Sequence, residues 1–229
     1  MRFLLLPAMV FALGAQTAPD SGLDRPNVGA AWKRNAEALK TYTYKRRTEI
    51  TVKGKTPGAR LDLIRYVDGE MQAIPLEAPA RSAPQPHSRG LGGKIVEKKV
   101  EKKKDEMRQE LERMSGLVQR FSPGSDAMKA ALALATVSRN GSGSGDIEVL
   151  AKGVVRPTDS FMLVWSAANR RPVKIEIHSD LDGKPVTILT EYASLPEGPF
   201  YAARTVMSAP KKDLRVTIDT FEYSSSAAR

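Results

Sequence analysis

Arg46 is the residue with the most chemistry to explain. In the run Tyr42-Thr43-Tyr44-Lys45-Arg46-Arg47-Thr48-Glu49-Ile50-Thr51-Val52, a period of two puts Tyr42, Tyr44, Arg46, Thr48, Ile50 and Val52 on one side of a strand. Lys45, Arg47 and Glu49 fall on the other side. A guanidinium on the apolar side must find a carboxylate, a carbonyl or an anionic ligand head, because an unpaired buried charge is costly. On that reading Arg46 is a polar anchor in an apolar wall. A bulge that flips the register, or a place at the rim where the side chain snorkels to water, would leave it with solvent instead.

A second group has the composition of an adaptable apolar lining. Trp32, Tyr42, Tyr44, Phe161 and Trp165, with Met107, Met114, Met128 and Met207, could surround a loosely shaped ligand, since methionine adapts to irregular surfaces. The same residues at helical or strand spacing also describe an ordinary core. A third group is Lys98, Lys99, Lys102, Lys103 and Lys104, which would form a basic helix face able to dock a polyanion or an acidic partner. Glutamates are interleaved with these lysines, as on most solvated helix faces.

Other chemistry is excluded by composition and spacing. The chain has no cysteine and two histidines, His87 and His178. Disulfides, thiolate metal sites and thiol nucleophiles are therefore absent. Neither histidine has a partner at metal-ligand spacing, so no metal site is expected. Asp180 and Asp182 flank an Asp-Gly turn and lack the further oxygens of a calcium loop. Gly90-Leu91-Gly92-Gly93 lacks the spacing and the Lys-Ser/Thr of a phosphate loop. No G-x-S-x-G or S-x-x-K offers an activated serine. A non-enzymatic protein without cofactors is the expectation. The net charge of +10 favours attraction to anionic surfaces but does not by itself indicate nucleic acid.

The elements that would position these residues follow from periodicity and turn chemistry. Met1-Arg2, the apolar run from Phe3 to Leu13 and small residues at Gly14, Ala15 and Ala18 read as a cleavable export signal, assigned to 1–15. A leader over 16–26 follows, and Asn27 can cap a helix to about Lys40 that places Val28, Trp32, Ala36 and Leu39 on one face. Two strands from Thr41 and from Leu61 to Val67 form a hairpin that Asp68-Gly69 ends. A Pro-rich loop spans 75–93, and a helical insert spans 94–138: a long helix to Phe121, then a shorter one capped by Ser125 or Asp126. Six strands complete the chain at 146–155, 160–166, 172–179, 185–194, 200–208 and 213–223. Several alternate cleanly, with Val173, Ile175 and Ile177 against Lys174, Glu176 and His178. The whole predicts one α+β domain over 27–229. Its core would be a strongly curved antiparallel sheet of about eight strands, with helices on the concave face.

The segments Leu163-Val164-Trp165-Ser166-Ala167-Ala168-Asn169-Arg170-Arg171-Pro172-Val173-Lys174-Ile175, Asp182-Gly183-Lys184-Pro185 and Pro199-Phe200-Tyr201-Ala202-Ala203-Arg204-Thr205-Val206 carry a family cadence. This part of the chain resembles the periplasmic outer-membrane lipoprotein carriers, the LolA/LolB-like proteins, whose strands turn near a Trp and return after a Pro. The leading helix before a hairpin fits the same pattern. The resemblance covers the first hairpin and residues 160–223, while the Pro-rich loop and the helices over 94–138 depart from it. It implies an incomplete β-barrel with helices as a lid over an apolar cavity. It also implies a periplasmic or secreted carrier of a lipid or lipoprotein acyl chain, with peripheral contact to a membrane or envelope protein. Trp32, Tyr42, Tyr44, Arg46, Phe161 and Trp165 are the candidate cavity residues. The alternative is an envelope interaction module that docks an acidic partner through the lysine-rich helix.

Overall fold

The structure is a computed structural model and describes residues 25–56, 58–76, 91–121, 125–139, 146–196 and 198–225. The leading helix α1 spans Arg25–Leu39. Its Trp32 turns onto the sheet, and its Asn35 grips one strand end in both directions. Asn35 Nδ2 donates to the Phe200 carbonyl at 2.8 Å, and the Phe200 amide donates to Asn35 Oδ1 at 2.8 Å. Strand β1 (Tyr42–Val52), β2 (Ala59–Val67) and β3 (Glu70–Pro75) follow as two consecutive hairpins. Asp68 and Gly69 take φ of 53° and 80°, the left-handed pair that a two-residue turn between antiparallel strands requires.

Helix α2 (Leu91–Arg120) runs thirty residues, and α3 (Asp126–Leu134) is capped by Ser125, whose hydroxyl accepts from the Met128 amide at 3.1 Å. Then come β4 (Thr136–Arg139), β5 (Ile147–Lys152), β6 (Ser160–Ser166), β7 (Arg171–Leu181), β8 (Lys184–Ser194), β9 (Phe200–Ala209) and β10 (Leu214–Ser225). Asp182 and Gly183, at φ of 56° and 69°, repeat the Asp-Gly turn between β7 and β8.

All ten strands join one antiparallel sheet in the order β3-β2-β1-β10-β9-β8-β7-β6-β5-β4. The expected architecture is present, an α+β fold on an open, barrel-like sheet with helices on one face. The strand count is corrected from about eight to ten. Both additions are edges. The sequence reading ends the hairpin at Asp68-Gly69 and opens the loop at 75, which leaves 70–74 unassigned, and it carries the helical insert to 138 across β4. An edge strand such as β3 is paired on one side only and carries little alternation; its residues are mostly exposed.

Because β1 pairs with β10, the sheet is a plain up-and-down meander broken at one place. The break is the connection from Pro75 to Thr136, which contains α2 and α3 and links the two opposite edges. Its helices lie on the apolar face. Met114, Leu117 and Phe121 from α2, with Met128 and Ala131 from α3, share one buried cluster with Val149, Phe161, Leu163, Ile175, Ile177, Val186, Ile188, Met207, Leu214 and Val216 of the sheet. Two ion pairs fix α2 at the end of that face: Arg113 with Asp182 at 2.6 Å, and Lys212 with Glu110 at 2.5 Å.

The opposite face is wet and ordered by charge. Lys174, Glu191, Arg204, Asp219 and Arg47 stand directly across from one another on β7, β8, β9, β10 and β1, alternating in sign. Opposite charges at cross-strand positions hold register modestly, and the same pairs in a slipped register would meet like charges.

Candidate functional site

The sheet carries two aromatic groups on either side of the start of β9. In the first, Trp32 of α1 packs against Trp165 of β6 (ring centroids 6.2 Å), Tyr192 of β8 (5.9 Å) and Phe200 of β9 (5.4 Å), the last two edge-on. Edge-to-face contacts of this kind add to the apolar burial of the rings. Burial pushes the Tyr192 phenol well above its ordinary value.

The second group is built on β1 and β2. Alternation survives along β1 from Tyr44 to Val52, so Arg46 does face the same side as Ile50 and Val52. Across the hairpin its partner is Asp62, whose side chain is 1% exposed, and Tyr44 stands opposite the fully buried Ile64. Arg46 Nη2 lies 3.4 Å from Asp62 Oδ2, and Arg60 Nε donates to Asp62 Oδ1 at 2.8 Å. Two guanidiniums thus share one carboxylate. The register shift lies at the far end, where β10 carries an extra residue between Phe221 and Ser224 opposite Lys45 and Thr43. Glu222 takes the left-handed conformation there (φ 54°) and pairs with Lys45, while Tyr223 stacks on Tyr44 with centroids 4.7 Å apart.

Pairing of β9 with β10 runs to Arg204 opposite Asp219. Beyond it Tyr201 rests on Tyr223 with centroids 4.3 Å apart, and the Thr220 hydroxyl donates to the Ala202 carbonyl at 2.6 Å. The Tyr223 hydroxyl in turn donates to Thr220 Oγ1 at 3.0 Å. Tyr66, two residues beyond Ile64 on β2, is a diagonal neighbour of Tyr44. Burial, with the neighbouring Tyr66, pushes the Tyr44 phenol up to about 12, against a smaller lowering by Arg46. Burial likewise raises Tyr223, offset in part by its Thr220 bond. Phe200 of the first group and Tyr201 of the second are consecutive on β9.

The residues singled out in the sequence are therefore divided. Trp32 and Trp165 meet in the first group, and Tyr44 and Arg46 in the second. Tyr42, half-buried at the start of β1, brings its hydroxyl to the turn at Gly198. Phe161 is 1% exposed on β6 and belongs to the core cluster with α2 and α3. Lys98, Lys99, Lys102, Lys103 and Lys104 lie on the helical backbone of α2, and their side chains are outside the described residues, as is that of Met107. His87 lies outside the described residues altogether. His178 is exposed on β7, 2.8 Å from Glu176. Among the described residues no cluster of His, Cys, Asp and Glu is arranged to hold a metal, and no helix is long and apolar enough to cross a membrane.

Sequence reading missed Arg60, Asp62, Tyr66, Tyr201 and Tyr223. A signal for two of them existed: Asp62 and Tyr66 share with Ile64 one side of β2, which puts a carboxylate and a phenol on an apolar face.

The class that this geometry defines is an open antiparallel half-barrel whose apolar face is lined by helices and bordered by an arginine–tyrosine cluster. No protein-family model matches the chain, and no curated protein does. Among solved structures it is similar to a putative outer membrane lipoprotein-sorting protein domain from Vibrio parahaemolyticus. That match has TM-score 0.44 and 10% identity, over 89% of this chain and 92% of the other. A DUF1329 family protein from Desulfovibrio piger gives TM-score 0.40 and 9% identity, over 89% and 94%. A LolA superfamily protein from Nitrosomonas europaea gives 0.34 and 13%, over 85% and 92%.

Proposed function

We propose that the protein is an exported carrier that shelters the acyl chain of a lipid or lipoprotein against the apolar face of its half-barrel. One observation carries the reading: the sheet does not close on itself, and helices supply the cover of its apolar face. In a closed barrel the lining would come from strands alone and could not be removed without breaking the ladder. Here Met114, Leu117, Phe121, Met128 and Ala131 are replaceable by an apolar guest. The sequence likeness of residues 160–223 to the lipoprotein carriers points the same way.

The mechanism is exchange of one apolar filling for another. When empty, α2, α3 and Trp32 of α1 keep the sheet face dry. Cargo shifts the population toward the form in which the helices stand aside, by as much as it binds that form better. The buried methionines Met114, Met128 and Met207 are adaptable and suit chains of varied length. No bond is made or broken, and no cofactor is required.

The test is native mass spectrometry of the protein purified from its own compartment, followed by thermal melts with added acyl ligands. Co-purifying lipid and an upward shift in Tm are expected. Protein that carries no lipid and melts at the same temperature with and without acyl ligands would sink the reading.

A further inference from the structure

The arginine–tyrosine cluster has donors and positive charge to spare. Arg46 and Arg60 together carry two positive charges against the single negative charge of Asp62. Arg46 reaches Asp62 only at 3.4 Å, and its Nε, itself buried, has no hydrogen-bond partner among the described residues. Buried donors almost always have an acceptor, so an orphan N–H marks a place where one is missing. Phenols crowd the same spot: Tyr223 is stacked on Tyr44, and Tyr66 is its diagonal neighbour across the hairpin. Each phenol hydroxyl carries a hydrogen that can be donated to an acceptor.

We propose that Arg46, with the hydroxyls of Tyr44 and Tyr66, is the seat of an oxyanion, a carboxylate or phosphate monoester, at the head of the acyl ligand. This rests on the carrier reading above and specifies which end of the cargo is recognised. Three features fit it. The guanidinium offers the planar fork that oxyanions take. The raised Tyr44 keeps its proton at neutral pH and so remains a donor. Ile50 and Val52 continue Arg46's side of β1 as an apolar face along which a chain leaving its head would run. Arg46 is 27% exposed, so the head is within reach of solvent.

The experiment compares dodecanoic acid with dodecanol, equal in chain and different in head, on the wild-type full chain and on the variants Arg46→Gln and Tyr66→Phe. Inorganic phosphate alone is the third ligand. Binding is read by calorimetry at neutral pH, and each variant's Tm is measured without ligand. The acid should bind the wild type roughly ten-fold or more tighter than the alcohol, as charge-assisted bonds warrant. Arg46→Gln should remove that preference, so that the acid binds no tighter than the alcohol. Tyr66→Phe, which deletes one hydroxyl and no volume, should reduce the preference and serves if Arg46→Gln fails to fold. Equal binding of acid and alcohol to the wild type would overturn the seat and leave the carrier intact. Binding of neither would overturn both. Saturable binding of phosphate that depends on Arg46, with no binding of dodecanoic acid, would make the site one for a free anion and overturn the lipid head.

Discussion

Lys212 and Glu110 meet across 102 residues of sequence, Nζ to Oε1 at 2.5 Å, with only 17% and 13% of their side chains exposed. The pair joins α2 to the turn between β9 and β10, and Asp182 adds a second acceptor 3.8 Å from Lys212. Removing one member of a largely buried pair leaves the other charged without a partner. Lys212→Met is expected to lower stability by about 3 kcal/mol in denaturant melts. The double variant Lys212→Met with Glu110→Leu should recover most of that loss. A double variant as unstable as the single would show that the pair contributes little by itself.

Asp62 should be the more sensitive end of its own network. Asp62→Ala strands two guanidiniums beside buried Ile64 and is expected to cost roughly 3 kcal/mol. Arg46→Gln should cost clearly less, because Arg60 still holds the carboxylate at 2.8 Å. Urea midpoints of the two variants check the order. A larger loss at Arg46 would mean that Arg60 does not hold Asp62 in solution.

Acid should weaken the convex face through Glu176 and the β7–β8 turn through Asp180. Partial burial would raise Glu176, but bonds from His178 and Lys174 hold it below the ordinary 4.5. The Thr158 hydroxyl and the Gly183 amide, with Arg156, hold Asp180 below 3.8. A carboxylate lowered by folding stabilises fully above its unfolded value, and the contribution fades as pH falls through the folded one. The Tm of wild type should drop between about pH 5 and pH 3, and Glu176→Gln should flatten part of that drop. Identical pH profiles would remove Glu176 from the account.

Base should act through the tyrosines with the opposite sign. Tyr44, Tyr192 and Tyr223 all have folded values raised above 10.0, chiefly by burial. Folding favours their neutral form, so this stability is complete below about 10 and is lost as pH climbs through the raised values. Tyrosinate absorbance should therefore show an early group and a late group, the late one rising together with loss of secondary structure. A single early transition of all tyrosines would contradict the burial of these three.

How far the sequence could be read follows from where each signal lies. Alternation in Ile175 and Ile177, and the Asp-Gly pair at 182 and 183, specify a strand and its turn locally and are found as read, whereas Val173, expected on the same dry side, is 39% exposed at a register shift opposite Trp165. Arg46 could be assigned a side because β1 alternates without interruption. Its partner could not be assigned, since Asp62 is identified only through a hairpin register that the turn over 53–58 sets. Tyr201 and Tyr223 were out of reach for a different reason. They meet because β9 stops pairing with β10 after Arg204 and because Glu222 adds a bulge, both tertiary facts. β4 was hidden by its neighbour: the Ala-rich α3 ends at Leu134, and Thr136–Arg139 carries only Val137 as an apolar mark.

The connection from one edge of the sheet to the other has a mechanical consequence. A chain that runs up and down without interruption can spread its outer strands freely, like an unbuckled belt. In this protein the backbone that leaves β3 at one edge carries α2 and α3 before it enters β4 at the other, so the two strands farthest apart in the sheet are consecutive in the chain and joined through the helices that cover it.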